Sequence, residues 1–350
     1  MEKLSIAGRV IGAGEPPYIV AEIGSNHNGD MLLCRRLIDA AKDCGVDAVK
    51  FQSWSKASLI SKAEYARNTK YVSGNGGEPT LEEAVEKYQL TPEQHHEVAA
   101  YCHGLNLCFF SSCFSRAEVD LLESLDAPAY KIASMDINHL PLLQYLARTG
   151  KPLILSTGLA TLGEIERALE HLRTHGSGPV ALLHCVSIYP SAPDIVNLRN
   201  MDTLRRAFDV PVGYSDHSLG TAIPLAAVAL GAVIIEKHFT LDKKSPGWDH
   251  AISADVEEMR SLVHESRNVQ ASLGSAVRTV NAAQIEKRKV FRRRLVVTRA
   301  LDKGERLTAA DIEFKRPGTG IAPDELDYVL GRALTRNVEA EEELSWRDLA

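Results

Sequence analysis

Paired cysteines, long apolar runs and excess positive charge are all missing from this sequence, and each absence closes off a class of protein. The six cysteines (Cys34, Cys44, Cys102, Cys108, Cys113 and Cys185) are scattered, and no two form a C-x-x-C pair. That spacing suits reduced core thiols, not a disulfide framework or a zinc-thiolate site. No run reaches the roughly 20 apolar residues that span a bilayer, and "MEKLSIAGRVIG" has no apolar core of a signal peptide. The expectation is a cytoplasmic chain with no membrane partner. A net charge of −6 argues against a dedicated nucleic-acid binder. The first apolar run is followed by "EIGSNHNGD", not by the G-x-G-x-x-G turn of a dinucleotide-binding sheet.

What is present is a regular alternation. Short apolar runs recur at 18–24, 47–53, 107–112, 129–134, 152–158, 180–186, 210–216 and 232–239. Amphipathic segments lie between most of them, such as 31–44 with Leu33, Leu37, Ile38 and Ala41 on one side. Near-continuous apolar strands alternating with helices predict a parallel sheet covered on both faces. Eight such units over about 250 residues predict an α/β fold of the (β/α)8 TIM-barrel class. The alternation stops near Ser272, where a basic cluster (Lys287, Arg288, Lys289, Arg292, Arg293, Arg294) begins. The expected division is a barrel over 1–272, a linker over 273–290 and a small β-rich domain over 291–350. Within the last, "ALDKGERLTAADIEF" and "NVEAEEELSWRDLA" echo one another.

A barrel carries its chemistry at the C-terminal ends of its strands, and here those ends are polar. Run one ends in Glu22 and run two carries Lys50 and Gln52 on one face. Run three ends in Ser111 and Ser112, run four carries Lys131 and Ser134, and run five ends Ser156-Thr157-Gly158. Run six carries His184, then Ser187 and Tyr189. Run seven ends Asp216-His217, and run eight carries Glu236 and His238. An inward ammonium needs an anion, because burying it unpaired costs several kcal/mol. Two lysines on separate strands therefore predict a bound phosphate or carboxylate, with the Ser156-Thr157-Gly158 turn adding hydroxyl and N–H donors. His217 and His238, on consecutive strands of a closed barrel, converge, and with Glu22 and Glu236 they suit a divalent ion that keeps open positions. His184 and His27 are further candidates for that ion.

The ordered set "AEIGSNHNGD", "VKFQS", "YKIAS", "ILSTG", "LLHCVSIYP", "VGYSDHS" and "EKHFT" resembles the sialic acid (N-acetylneuraminate) synthase family, and "FKRPGTGI" resembles that family's antifreeze-like domain. The resemblance covers nearly the whole chain. It implies condensation of phosphoenolpyruvate with an open-chain amino-sugar aldose, giving a nine-carbon 2-keto-3-deoxy acid and phosphate. It further implies phosphoenolpyruvate contacts at Lys50, Gln52, Ser112, Lys131, Ser134 and Ser156. His217 and His238 would bind Mn²⁺ (Mg²⁺ or Co²⁺ being alternatives), Glu22 would handle the attacking water, and Glu236 would be a second acid/base or sugar contact. Tyr189 would line the sugar pocket. Arg316 would reach the N-acyl group from the lid domain of a partner in a domain-swapped homodimer. Asp216 is left to orient His217 or to meet a sugar hydroxyl.

Three departures touch sugar recognition: Ser187 where the family has asparagine, "SPGWDHAIS" with Trp248 and His250 in place of "PGPD", and arginines over 290–296 where the family presents an aromatic. The aldose is therefore open between N-acetylmannosamine, a diacetamido-trideoxy hexose of the legionaminate or pseudaminate type, and a non-acetamido or phosphorylated sugar. A metal-dependent sugar isomerase or aldolase, or a non-catalytic carbohydrate binder on the same scaffold, are the readings of another class.

Overall fold

Residues 3–69 and 80–350 are described by a computed structural model, in which the chain divides into two compact units, Met1–Gly274 and Ser275–Ala350. In the first unit eight parallel strands close into a barrel: β1 (Tyr18–Gly24), β2 (Ala48–Ser53), β3 (Cys108–Cys113), β4 (Tyr130–Ile132), β5 (Leu153–Ser156), β6 (Val180–Cys185), β7 (Val212–Asp216) and β8 (Ile234–His238). β8 pairs with both β7 and β1, so no edge is left. The expected (β/α)8 fold is the observed one.

Local signals start and stop the surrounding helices where the sequence places them. Asp30 accepts from the backbone N–H groups of Leu32 and Leu33 and opens Met31–Cys44, and Gly45 at φ 80° closes it. Thr161 with Glu164, and Asp255 with Glu258, form capping boxes for Leu162–Thr174 and Val256–Leu273. Each such cap contributes about 1 kcal/mol. The helices bury Leu37, Ile38, Leu142, Leu143, Leu169, Leu172 and Leu262 against the outward-facing strand residues.

Inside the barrel a different set packs. Val20, Ala48, Phe110, Ala129, Ile154, Leu183 and Ile234 form an apolar plug, sealed from below by Leu4, Ile6 and Ile11 of an antiparallel hairpin. Because side chains alternate along a strand, the next inward position is two residues further on. Those positions are Glu22, Lys50, Ser112, Lys131, Ser156, Cys185 and Glu236, with Ser215 after Gly213 on β7. One apolar layer thus supports one polar layer, and the polar layer is the floor of the site.

The second unit has its own core, including Leu295, Val297, Leu301, Leu307, Leu334, Val338 and Leu344. It contains the helix Ala282–Phe291 and an antiparallel pair, β9 (Arg294–Val297) with β10 (Ile312–Lys315). The internal echo is structural. Leu301 and Val338 exchange backbone hydrogen bonds at 2.9 Å in both directions. On either side Arg299 Nε donates to Asp311 at 3.0 Å and Arg336 Nε to Asp348 at 2.6 Å. Thr298 and Thr335 donate to the carbonyls of Ala310 and Arg347, each at 3.0 Å.

The reading of 290–296 as arginine in place of an aromatic is corrected here. Phe291 is exposed, and the Arg316 guanidinium lies 5.7 Å from its ring centre. Arg293 donates to the Phe314 carbonyl and Arg294 to the Gly318 carbonyl, so both staple the small domain's own backbone. No described helix is long and apolar enough to cross a membrane.

Candidate active site

The polar layer opens into a cavity of about 240 Å³ at the C-terminal end of the barrel. Glu22, Lys50, Gln52, Ser112, Lys131, Ser134, Ser156, Ser187, Tyr189, His217, Glu236 and His238 all line it. Twelve of the residues singled out in the sequence are brought to one place.

Its charges interlock. Lys50 Nζ lies 2.7 Å from Glu22 Oε2 and 3.9 Å from Glu236 Oε2, and donates to Ser112 Oγ at 3.2 Å. Lys131 Nζ donates to Ser156 Oγ at 2.6 Å and to the Ile132 carbonyl at 3.0 Å, and lies 3.9 Å from Glu236 Oε1. Gln52 Nε2 donates to Glu22 Oε1 at 2.6 Å, and Ser215 Oγ to Glu236 Oε1 at 3.0 Å. Both ammonium groups are nearly inaccessible, their side chains 4% and 3% exposed. Two buried cations balanced by two carboxylates therefore face one cavity.

Gly24 makes the first of these contacts fit. It sits at φ +53° where the β1–β2 register shifts, and a Cβ there would meet Glu22 Oε1 at 2.9 Å and Gln52 Nε2 at 3.0 Å. Gly158 is equally constrained. Its N–H donates to Ser134 Oγ at 3.0 Å, and a Cβ would lie 2.6 Å from Ser187 Oγ.

Protonation follows from burial and neighbours. Burial, helped by Glu236, raises Glu22 to about 7 against the pull of Lys50 and Gln52. For Glu236 the same burial is outweighed by Lys131 and Lys50, which hold it below the usual carboxylate range. Burial draws Lys131 down, whereas for Lys50 the two glutamates overcome burial and raise it. One carboxyl is thus poised near neutrality beside one that stays ionised, the arrangement that separates proton-accepting from electrostatic roles.

On the other side of the cavity the rings of His217 and His238 are 5.5 Å apart, with Tyr189 4.0 Å from His217. His217 Nδ1 lies 2.8 Å from the Val186 carbonyl, which only accepts, so Nδ1 carries the proton and Nε2 a free lone pair. His238 is buried, and its Nδ1 makes no hydrogen bond among the described residues. Burial, then His217, keeps it neutral, well below the ordinary imidazole pKa. His238 offers a neutral imidazole, and His217, whose pKa is raised against burial by Cys185 and the Val186 carbonyl, offers Nε2 once it loses its proton; such a pair fits a borderline divalent ion that keeps positions open. Among the described residues no three His, Cys, Asp or Glu side chains are grouped for a metal.

The other residues singled out from the sequence are not part of this lining. Asp216 is corrected as a substrate contact: its side chain is inaccessible, and its carboxylate is held by Lys237 Nζ at 2.6 Å. Thr157 donates its hydroxyl to the Leu183 carbonyl at 3.0 Å, and Gly158 lies behind Ser134. Arg316 belongs to the second unit. His184 and His27 are likewise off the cavity, His184 bonded to the Val196 carbonyl at 2.6 Å and His27 accepting from Gly29 N–H at 3.0 Å. His250 is structural, tied to Thr240 Oγ1 at 2.7 Å, while Trp248 stacks on Trp54 at 5.8 Å.

Two residues were overlooked. Cys185, read as a core thiol, occupies the polar layer and lines the cavity. Its inward parity, two residues after Leu183, was the available signal. Asp249, between the flagged Trp248 and His250, places Oδ2 3.7 Å from His238 Nδ1, and burial raises its carboxyl to about 6.

A closed barrel with paired lysines, paired glutamates and paired imidazoles at its strand ends is an enzyme built around a small anionic substrate. The chain belongs to the NeuB family: the model of that family matches residues 37–278, and the SAF domain model matches 292–350. It is 41% identical over 350 residues to a protein of Methanocaldococcus jannaschii, covering all of this chain and 99% of that one. It is 39% identical over 340 residues to the N,N'-diacetyllegionaminic acid synthase of Legionella pneumophila, covering 95% and 94% of the two chains. The crystal structure of an N-acetylneuraminic acid synthetase from Leptospira borgpetersenii, in complex with citrate, superposes with a TM-score of 0.74 at 34% identity, over 82% of this chain and 95% of that one. Membership of a synthase family sets aside the isomerase, aldolase and non-catalytic readings.

Proposed function

We propose that this protein condenses phosphoenolpyruvate with the open-chain form of a neutral amino-sugar aldose, giving a nine-carbon 2-keto-3-deoxy acid and inorganic phosphate. The observation that carries this reading is the placing of Lys50 and Lys131 on separate strands of one cavity that also holds Glu22, Glu236 and the imidazoles of His217 and His238. A substrate with a carboxylate and a phosphate ester on one carbon needs two cations, and a mono-anionic sugar does not.

In this reading Lys50, with Gln52 and Ser112, and Lys131, with Ser134 and Ser156, hold the two anionic ends. Substrate oxygens join the glutamates around the two ammonium groups. Carbon 3 of the enol bonds to the aldehyde carbon, whose oxygen becomes a hydroxyl on receiving the proton given up by the water that adds to carbon 2. Water adds to carbon 2 and gives its proton to Glu22, whose position near neutrality suits it to accept and return one. The tetrahedral adduct then releases phosphate and leaves the ketone. His217 and His238 are the proposed ligands of a divalent ion, Mn²⁺ foremost, with Mg²⁺ or Co²⁺ as alternatives. When bound, such an ion supplies Lewis-acid polarisation of the aldehyde. Tyr189 and Ser187 stand where the sugar enters, and Asp249 is placed to meet one of its polar groups.

Two features favour a sugar without a phosphate of its own. The two lysines of the lining are matched by two glutamates, leaving no further lysine or arginine among the described lining residues for a second phosphate. Arg293 and Arg294 are committed within their own domain. The resemblance to the sialic acid synthase family supports a cover supplied by the SAF domain of a partner chain, with Arg316 near the N-acyl group in a domain-swapped homodimer. Incubation with phosphoenolpyruvate, Mn²⁺ and a panel of N-acylated hexosamines tests the reading. Phosphate release that depends on the aldose supports it, and its absence with every sugar refutes it.

A further inference from the structure

Behind the two imidazoles lies a fully buried ion pair that the chemistry above does not use. Lys237 and Asp216 are register partners on β8 and β7, each one residue before a histidine of the site. Their side chains are 1% and 0% exposed. Both point away from the cavity, since Glu236 and Ser215 beside them point in.

Apart from a bond with Tyr214 on β7, the hydrogen bonds of this pair among the described residues are made at the turn that carries His217. Lys237 Nζ donates to Asp216 Oδ2 at 2.6 Å and to the Ser218 carbonyl at 2.7 Å. Asp216 Oδ1 accepts from Ser218 N at 2.9 Å, Ser218 Oγ at 2.7 Å and Tyr214 Oη at 3.0 Å. The residues on both sides of His217 are therefore tied to the side chain that immediately precedes His238. The His217 carbonyl accepts from Ser191 N–H at 2.9 Å, and its Nδ1 is fixed on Val186. Stability is a weak reason for such an arrangement, because well-packed apolar residues in place of a buried ion pair are often neutral or stabilising.

We propose that Asp216 and Lys237 are positioning residues, a clamp between strands that sets the spacing and orientation of the His217 and His238 imidazoles for a divalent ion. The proposal rests on the assignment of those histidines as ligands. The pair acts as outer partners of metal ligands do, through the backbone of one ligand and the strand of the other.

The test is the double variant Asp216→Leu/Lys237→Met, which removes both charges together and leaves neither buried alone. Three quantities are read on the full-length protein: the thermal midpoint, the Mn²⁺ dissociation constant from the free-ion paramagnetic resonance signal without substrate, and the phosphoenolpyruvate dissociation constant from calorimetry. The expected result is a midpoint within a few degrees of wild type, Mn²⁺ binding weakened about 10- to 100-fold, and phosphoenolpyruvate binding changed less than about twofold, since Lys50 and Lys131 are untouched. A purely structural role would not split the two affinities. A folded double variant with wild-type Mn²⁺ affinity overturns the clamp. Absence of Mn²⁺ binding by the wild-type protein overturns instead the ligand assignment on which it rests. Should the double variant not fold, Ser218→Ala removes one donor to Asp216 and keeps the ion pair. Mn²⁺ binding weakened about two- to tenfold supports the clamp, and unchanged binding overturns it.

Discussion

Titration of Glu22 gives the proposed chemistry a quantitative consequence. With its pKa at about 7, the carboxyl is about one-tenth ionised at pH 6 and about nine-tenths at pH 8. A proton acceptor works only in its ionised form, so the rate is lost as the pH falls through 7, not through the 4 to 5 of an ordinary glutamate. Glu236, held below the usual range by the two lysines, stays ionised throughout and adds no limb of its own there. The kcat/KM of the free enzyme is expected to rise about tenfold between pH 6 and pH 8. Glu22→Gln keeps an oxygen for Gln52 and leaves Lys50 facing Glu236, so the fold should survive. It should lower kcat about 10²- to 10⁴-fold and abolish the limb near 7. The assay is initial-rate phosphate release at limiting substrate over pH 5.5–9, with any limb left in the variant assigned to Asp249 or to His217, whose pKa is raised against burial by Cys185 and the Val186 carbonyl. A wild-type rate that is flat from pH 6 to 8, or a Glu22→Gln variant within threefold of wild type, refutes the reasoning.

Other parts of the site give shorter tests. Lys131→Met removes a buried cation whose loss is expected to cost about 2–5 kcal/mol in phosphoenolpyruvate binding, read as a KM raised about 30-fold or more with the thermal midpoint recorded in parallel. Gly158→Ala puts a methyl 2.6 Å from Ser187 Oγ and 3.0 Å from Ser134 Oγ, and should raise the KM for phosphoenolpyruvate about tenfold while moving the thermal midpoint by only a few degrees. A chain ending at Gly274 retains a barrel with its own core and is expected to unfold cooperatively by circular dichroism yet lack synthase turnover. Retained turnover would contradict the proposed lid.

The barrel was legible because parallel strands buried on both faces leave short, near-continuous apolar runs, and eight of them recur in the sequence. The polar layer was legible for the same reason: Lys50 and Lys131 interrupt such runs and cannot be buried without a purpose. Errors arose where parity was not applied. His184 follows Leu183, an inward residue, and so must face out, as must Asp216 after Ser215. Inward parity also assigns Cys185 to the site. Asp249 had no such signal, because it lies in a loop where no periodicity operates and only the fold brings it to His238. The partner of Asp216 was equally hidden, since Lys237 reads from the sequence as one more strand residue until β7 and β8 are laid side by side.

The central claim is the joining of phosphoenolpyruvate to a neutral aldose, and the mass of the product tests it most directly. The protein is supplied with phosphoenolpyruvate, Mn²⁺ and an equimolar mixture of free and 6-phosphorylated N-acylhexosamines, and the products are resolved by mass spectrometry. The account predicts a nine-carbon keto acid without a phosphate group, formed with one equivalent of inorganic phosphate. A product that keeps the sugar phosphate, or no keto acid at all, would contradict it.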